Sequence, residues 1–150
     1  MGDVIRKLSK GRLPALVAGG FDWVDARDVA QGAIDAVEKG AAGDRFLLSG
    51  HYRTMRQFAE VVSELSGVPA PRITSPLWLA RAFSPLMGAW ASVVNEPPLY
   101  TRASLTALQG NPQVSHHRAT EKLAYQPRGF RDTVRDALLF YAEGEKSWSS

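Results

Sequence analysis

Apolar residues recur at helical spacing in several stretches of the chain, and capping or turn residues separate these stretches. Between positions 29 and 37 they return every three or four residues, which predicts an amphipathic helix with this stripe facing the core. Asp28 precedes the stripe and Gln31 stands three residues later, so we expect Asp28 to cap the helix and not to take part in catalysis. Gly40 and Gly43 are expected to end it.

Two extended segments flank this helix. Val24 and Ala26 can face the same side of an extended segment before it, and residues 46–48, Phe-Leu-Leu, are typical of a short buried strand after it. Together they predict a βαβ unit with two parallel strands. The second strand would leave an unpaired edge carrying Phe46 and Leu48, so we expect the chain to self-associate, to exchange elements or to require a partner.

Helices dominate the rest of the pattern. Thr54 and Gln57 have the spacing of a capping box, and Gly67 is expected to stop the helix that they begin. Further helices are predicted over residues 2–10, 77–90, 101–108, 115–124 (capped by Ser115) and 130–141, and extended segments over residues 13–17 and 72–74.

The stretch 77–90 is the most apolar of these helices. Polar residues, a proline and a glycine interrupt it before it reaches the roughly 20 apolar residues of a membrane span. A kinked amphipathic helix that covers a pocket is therefore predicted, and a membrane-surface helix is the alternative.

Two stretches carry a resemblance to a known family. Residues 21–50, FDWVDARDVAQGAIDAVEKGAAGDRFLLSG, resemble extended short-chain dehydrogenases/reductases, and among them the NAD-dependent epimerase/dehydratase and dihydroflavonol-reductase-like proteins. Residues 123–128, LAYQPR, are similar to the Leu-Gly-Tyr/Trp-x-Pro phrase that precedes the family's terminal helix, with Ala124 where glycine is usual. The resemblance covers nearly the whole chain but only the C-terminal half of the family's pattern. It implies an α/β fold, the C-terminal substrate-binding part of a Rossmann-like enzyme, helix-rich with a few short, partly parallel strands.

The family's cofactor and proton-transfer motifs do not occur in this sequence. Members begin with a strand, a glycine-rich turn and a helix that holds the cofactor pyrophosphate, and they carry a Tyr-x-x-x-Lys pair. The sequence contains neither G-x-G-x-x-G nor G-x-x-G-x-x-G, and none of its four tyrosines has a lysine four positions later. The resemblance implies NAD or NADP for a complete member, whereas we expect neither to bind this chain alone.

Composition narrows the function classes further. A chain of 150 residues can bury a hydrophobic core, and we expect residues 1–150 to be a single domain without the dinucleotide-binding half. The absence of cysteine excludes disulfides and thiolate chemistry and favours a reducing compartment, the cytoplasm by default. The net charge of +3 is spread among compensating acids, so we do not expect nucleic acid as a partner. We do not expect a membrane either, because the polar face of the helix predicted over residues 77–90 lacks the lysines and arginines of membrane-surface helices.

Five residues are candidates for the walls of a substrate pocket. Trp23 and Trp78 offer aromatic surface, with core packing as the alternative for both. Arg102 and Arg128 carry guanidinium groups that match phosphate or carboxylate groups. Asp25 stands at a strand position where many family members carry histidine or tyrosine.

Other reactive residues lack the spacing that their chemistry requires. Neighbouring His116 and His117 project about 100° apart on a helix, and with His51 they lack the spacing of helical zinc ligands, so no metal site is predicted. Ser49 precedes Gly50, but no glycine stands two places before it to form a nucleophile elbow. No catalytic residue is predicted in this chain.

Two functions remain open at this stage. The first is the substrate-binding portion of an NAD(P)-dependent oxidoreductase, epimerase/dehydratase or reductase that acts on a sugar nucleotide or a small carbonyl substrate. On this hypothesis the chain is inactive alone, because it is truncated or split from its N-terminal half. The second is a non-catalytic ligand- or protein-binding module derived from that family. A small-molecule substrate and either an N-terminal half or a second copy are the expected partners.

Overall fold

The computed structural model of the protein describes residues 2–76 and 114–147. Within these residues the elements are α1 (Gly2–Ser9), β1 (Leu16–Val17), β2 (Gly20–Trp23), α2 (Ala26–Lys39), β3 (His51–Thr54), α3 (Met55–Ser66), β4 (Thr74–Ser75), α4 (His117–Leu123) and α5 (Phe130–Ser147). The helices predicted over residues 77–90 and 101–108 lie outside the described residues. The predicted α/β, helix-rich fold with partly parallel strands is confirmed.

The strands form two small sheets. β1 pairs in parallel with β4, and β2 pairs antiparallel with β3, in a register that places Gly20 opposite Thr54 and Trp23 opposite His51. The predicted βαβ unit is therefore wrong, because residues 46–48 form no strand in the described part of the chain. The side chains of Phe46 and Leu48 pack against helices, and the next residues turn back along β2 as β3.

Helix α2 begins three residues earlier than predicted. Its N-cap is Asp25, whose carboxylate accepts a hydrogen bond from the backbone N–H of Arg27 at 2.9 Å, so the prediction of Asp28 as the cap is wrong. Asp28 lies in the first turn, buried, and its carboxylate faces Arg128 instead. Gly40 is the C-cap, as predicted.

The buried face of α2 also differs from the predicted one. Asp28 and Gly32 are buried, whereas Ile34 and Val37 of the predicted stripe are exposed, Val37 to 87%. A Cβ atom at Gly32 would lie 2.8 Å from Leu48, so glycine permits a close approach on the packed side. The apolar stripe therefore points away from the chain's own core.

The main core lies between α1, α3 and α5. The capping box of α3 is confirmed, because the Thr54 hydroxyl accepts from the N–H of Gln57 at 3.2 Å and the Gln57 side chain accepts from the N–H of Thr54 at 3.0 Å. Gly67 ends α3 in the left-handed conformation, with φ 73°. The buried apolar residues of this core are Ile5, Leu8, Leu13, Leu16, Val17, Met55, Phe58, Ala59, Val62, Phe130 and Val134.

A second, smaller core joins α2 to α4. Leu123 and Tyr125 are buried in it together with Ala119, and Phe46 and Leu48 pack against them. The N-cap of α4 is His116 and not Ser115 as predicted, although the Ser115 hydroxyl accepts from the N–H of His117 at 3.2 Å.

Candidate functional site

Three of the five predicted pocket residues lie near the junction between β2 and α2. Trp23 ends β2, Asp25 caps α2, and Arg128 approaches Asp25 from the segment before α5, with 3.7 Å between Arg128 Nε and Asp25 Oδ2. Trp78 and Arg102 lie outside the described residues. We call Asp25, Arg27, Asp28 and Arg128 the junction cluster.

Trp23 faces the main core. Its ring stacks on Phe58 with 4.3 Å between centroids and meets Phe130 edge-on at 5.9 Å. Its indole N–H donates to the carbonyl of Arg53 at 3.2 Å. These contacts favour the core alternative for Trp23, and its role in a substrate pocket stays a prediction.

Asp25 is held as a carboxylate. Only 8% of its side chain is exposed, and its two oxygens accept from the Arg27 side chain at 2.9 Å (Nε) and 2.7 Å (Nη2). Hydrogen bonding from the Arg27 side chain lowers the pKa of Asp25 from 3.8 to about 2, and burial opposes this. The Arg27 backbone N–H and the charges of Arg128 and Arg27 also contribute to this lowering. Asp25 is therefore ionised at neutral pH.

Arg128 is anchored on one side and open on the other. Its backbone N–H and its Nε both donate to the Asp28 carboxylate, each at 2.8 Å. About a third of the side chain, 34%, is exposed, and Nη1 and Nη2 donate to no acceptor within residues 2–76 and 114–147. A guanidinium group held by its Nε edge presents its remaining N–H groups in a fixed direction, which suits a phosphate or carboxylate group.

A second polar group was not predicted from the sequence. Ser49 Oγ lies 3.1 Å from Nδ1 of His116, and the Tyr125 hydroxyl donates to the carbonyl of Ser49 at 3.2 Å. Burial, followed by the charges of Asp28 and Asp22, raises the pKa of Tyr125. Because Ser49 is buried, its hydroxyl is closed to a substrate, and the contacts tether the segment before β3 to the start of α4. No local spacing signals this group, since Ser49 and His116 are 67 positions apart.

A cavity of about 490 Å³ opens between α1, α3 and α5. Apolar side chains such as Leu65 and Leu138 line it, and Arg6, Lys10 and Arg135 contribute to its walls. None of the predicted pocket residues that the structure describes lines this cavity. It is therefore separate from the junction cluster.

The described residues form neither a metal site nor a membrane span. No group of three or more histidine, aspartate or glutamate side chains within them is arranged to hold a metal ion. None of the helices in the described ranges has the length and apolar character needed to cross a bilayer.

Two strand-to-helix junctions lie in the described part of the chain, and neither fits a dinucleotide pyrophosphate. At the N-terminus of α2, the Asp25 side chain accepts from the N–H of Arg27 and the Asp25 carbonyl accepts from those of Asp28 and Val29, so these N–H groups are not available to a phosphate group. At the start of α3, the N–H of Gln57 donates to the Thr54 hydroxyl and the N–H of Met55 donates to the carbonyl of Gly19.

The chain was compared with known proteins. No family model matches it. It is 34% identical over 93% of its length to a putative dihydroflavonol 4-reductase from Synechocystis sp., and 28% identical over 95% to sterol demethylase protein B from Methylococcus capsulatus. Its fold superposes with a TM-score of 0.71 on PA4631, a nucleoside-diphosphate-sugar epimerase from Pseudomonas aeruginosa, at 26% identity over 95% of this chain.

These relatives confirm the resemblance to the extended short-chain dehydrogenase/reductase family. It matches the C-terminal part of such proteins and spans 42–44% of the length of the relatives named above. The structure also explains why the family pattern has glycine at the position of Ala124. Ala124 adopts the left-handed conformation, with φ 59°, at the position where the short-chain dehydrogenase/reductase pattern has glycine.

Proposed function

We propose that this chain is the substrate-binding part of an NAD(P)-dependent epimerase/dehydratase or reductase that acts on a sugar nucleotide or a small carbonyl compound. The extent of the match carries the proposal. Nearly the whole chain, 93% and 95%, aligns with 42% of the named dihydroflavonol 4-reductase and of the sugar-nucleotide epimerase. On this proposal residues 1–150 form one substrate-binding unit, and NAD or NADP is held by a part that this chain does not contain.

The junction cluster supports a role in substrate binding. Asp28 fixes Arg128 through its backbone N–H and Nε, which leaves the Nη edge of the guanidinium group for an anionic substrate group. Asp25 lies beside it and holds a negative charge that keeps Arg128 in place. Trp78 and Arg102 remain proposed pocket residues on sequence grounds.

Cofactor binding by the chain alone tests one half of the proposal. Isothermal titration calorimetry with NAD, NADP and their reduced forms is expected to give no saturable heat at micromolar concentrations. The reason is that neither described strand-to-helix junction offers a binding site for the pyrophosphate. Saturable micromolar binding would contradict the proposal that NAD or NADP is held by a part that this chain does not contain.

Restored activity tests the other half. A chimera is made by joining, before Met1, the part of the Synechocystis relative that this chain does not match. Oxidation of NADH and NADPH by the chimera is then measured with sugar nucleotides and with small carbonyl compounds as substrates. We expect cofactor-dependent turnover, with the intact relative as the positive control. Arg128→Gln should raise KM about tenfold or more for substrates that carry phosphate or carboxylate, whereas Arg131→Gln, which removes an exposed arginine of α5, should leave KM unchanged.

One observation favours a second candidate function, a non-catalytic ligand- or protein-binding module. Asp25 and Asp28, the buried carboxylates of the junction cluster, are both engaged with arginine side chains, so neither is available as a general acid or base. A chimera that binds cofactor and retains ligand affinity without turnover would support this module and contradict the enzyme.

A further inference from the structure

The cavity between α1, α3 and α5 has an apolar floor. Leu65 of α3 and Leu138 and Tyr141 of α5 line it, and all three side chains are half-buried and pack against the main core. The volume of about 490 Å³ lies within the roughly 300–1,000 Å³ of pockets that bind small molecules. The floor can therefore take up a hydrocarbon group and remove it from water.

The rim of the same cavity is basic. Arg6 and Lys10, four positions apart at the end of α1, and Arg135 of α5 line it with exposed side chains. Each charged side chain among the described residues that line the cavity is basic. Arg135 is bound to Asp132 at 2.8 Å, but both side chains are more than half exposed, and an exposed pair of this kind contributes little stability. Arginine has five N–H donors and lysine three, so such groups can bind a ligand and a neighbouring residue together.

We propose that this cavity binds an anionic amphiphile, a single alkyl or acyl chain that ends in a carboxylate or phosphate group. The hydrocarbon chain lies on the floor against Leu65 and Leu138, because these side chains are the less exposed part of the lining. The head group lies at the rim, where Arg6 and Lys10 donate charge-assisted hydrogen bonds to it. The cavity is separate from the junction cluster, so this proposal does not depend on the function proposed above.

Isothermal titration calorimetry of the intact 150-residue chain with decanoate tests the proposal, at concentrations at which the probe forms no micelles. We expect saturable one-to-one binding with a dissociation constant of about 100 μM or below. Octanoate, which is shorter by two methylene groups, should bind about 15-fold more weakly, because each buried methylene group changes the affinity about fourfold. Decyl phosphate should bind as decanoate does. Decanol should bind about tenfold more weakly or worse, and decyltrimethylammonium should not bind, because neither offers a negative charge to the rim.

Two double variants test the basic rim. Arg6→Gln/Lys10→Gln should weaken decanoate binding about tenfold or more, because it removes two positive charges from the rim. Arg45→Gln/Arg72→Gln removes the same charge from exposed arginines outside the lining and should change the affinity less than about twofold. Melting temperatures of both double variants report whether the fold is kept.

A second pair of variants tests the volume of the cavity while keeping its charges. Ala142→Trp places a large side chain at an exposed position of α5 that lines the cavity, and it should weaken decanoate binding about tenfold or more. Ala33→Trp makes the same change at an exposed position of α2, outside the lining, and should leave the affinity unchanged.

Five outcomes would overturn the proposal. The first three are no saturable binding up to about 1 mM decanoate, equal binding of decanol or decyltrimethylammonium, and equal losses of affinity in the two double variants. The fourth is an affinity lost in Arg128→Gln but kept in Ala142→Trp, which would assign the anion to the junction cluster. The fifth is sedimentation of the chain with phosphatidylglycerol vesicles without binding of decanoate, which would indicate a membrane surface instead. None of these measurements involves a cofactor or turnover, so each of these outcomes would leave the proposed function intact.

Discussion

Replacing Asp25 with asparagine tests the electrostatics of the junction cluster without removing the cap of α2. Asparagine is as good an N-cap as aspartate and can still accept from the N–H of Arg27. Arg27 keeps Asp136 as a partner at 2.7 Å, and Arg128 keeps Asp28 at 2.8 Å. The substitution therefore removes one negative charge and leaves each arginine with a carboxylate.

The shifted pKa of Asp25 sets the size of the effect. One pKa unit corresponds to about 1.4 kcal/mol, so a fall from 3.8 to about 2 contributes about 2 kcal/mol to the free energy of unfolding at pH 7. Because the folded-state pKa lies below the unfolded one, this contribution is fully present above the unfolded value of 3.8 and is lost as the pH falls through about 2.

Urea denaturation of the natural chain and of Asp25→Asn, followed by tryptophan fluorescence between pH 7 and pH 2, measures this contribution. The difference in unfolding free energy should be about 2 kcal/mol at pH 7 and should shrink between about pH 4 and pH 2. Asp25→Ala should cost about 1 kcal/mol more, because it also removes the cap. Glu121→Gln, which breaks an exposed pair with His117, should change stability by less than about 0.5 kcal/mol. A difference for Asp25→Asn that is absent at pH 7, or constant with pH, would refute the assigned role.

Two further substitutions test helix ends. Ala124→Gly should stabilise the chain by about 0.5 kcal/mol, because relief of the left-handed alanine outweighs the added freedom of the unfolded chain, and a lower melting temperature would contradict this. Thr54→Ala should destabilise it by about 1 kcal/mol through loss of the α3 cap. In urea denaturation, the double variant Thr54→Ala/Gln57→Ala should lose less unfolding free energy than the sum of the losses of the two single variants. Strictly additive losses would argue against a reciprocal capping box.

Sequence reasoning succeeded where the determinants are local. The Thr54–Gln57 box and the Gly67 stop depend on residues within a few positions of each other, and the structure contains both. The stripe of α5 at Phe130 and Val134 was also predictable, since helical periodicity alone selects the face that packs on α1 and α3.

The cap of α2 shows why neighbouring signals can be misread. Asp25 and Asp28 are both good N-cap residues, and only Asp28 has glutamine three positions later, so the local pattern favoured Asp28. In the folded chain, the Asp28 carboxylate is bound instead by Arg128, 100 positions away in the sequence. A contact over that distance leaves no periodicity or spacing that a single sequence reveals. The Ser49–His116 contact was missed for the same reason.

The apolar stripe of α2 and the strand-like run at 46–48 have a different explanation. Both patterns predict burial, yet Ile34 and Val37 on α2 and Leu47 in the run are exposed in the folded chain. Apolar surface on a helix face and beside unpaired backbone favours association, because burying each such side chain contributes about 1.5–3 kcal/mol. We expect an apolar residue that the sequence pattern predicts to be buried, but that is exposed in this chain, to be buried by another part of the working assembly. The disagreement at Leu47 coincides with the backbone groups of residues 45–48, which form no hydrogen bond within the described part of the chain, so side chain and backbone indicate the same uncovered surface.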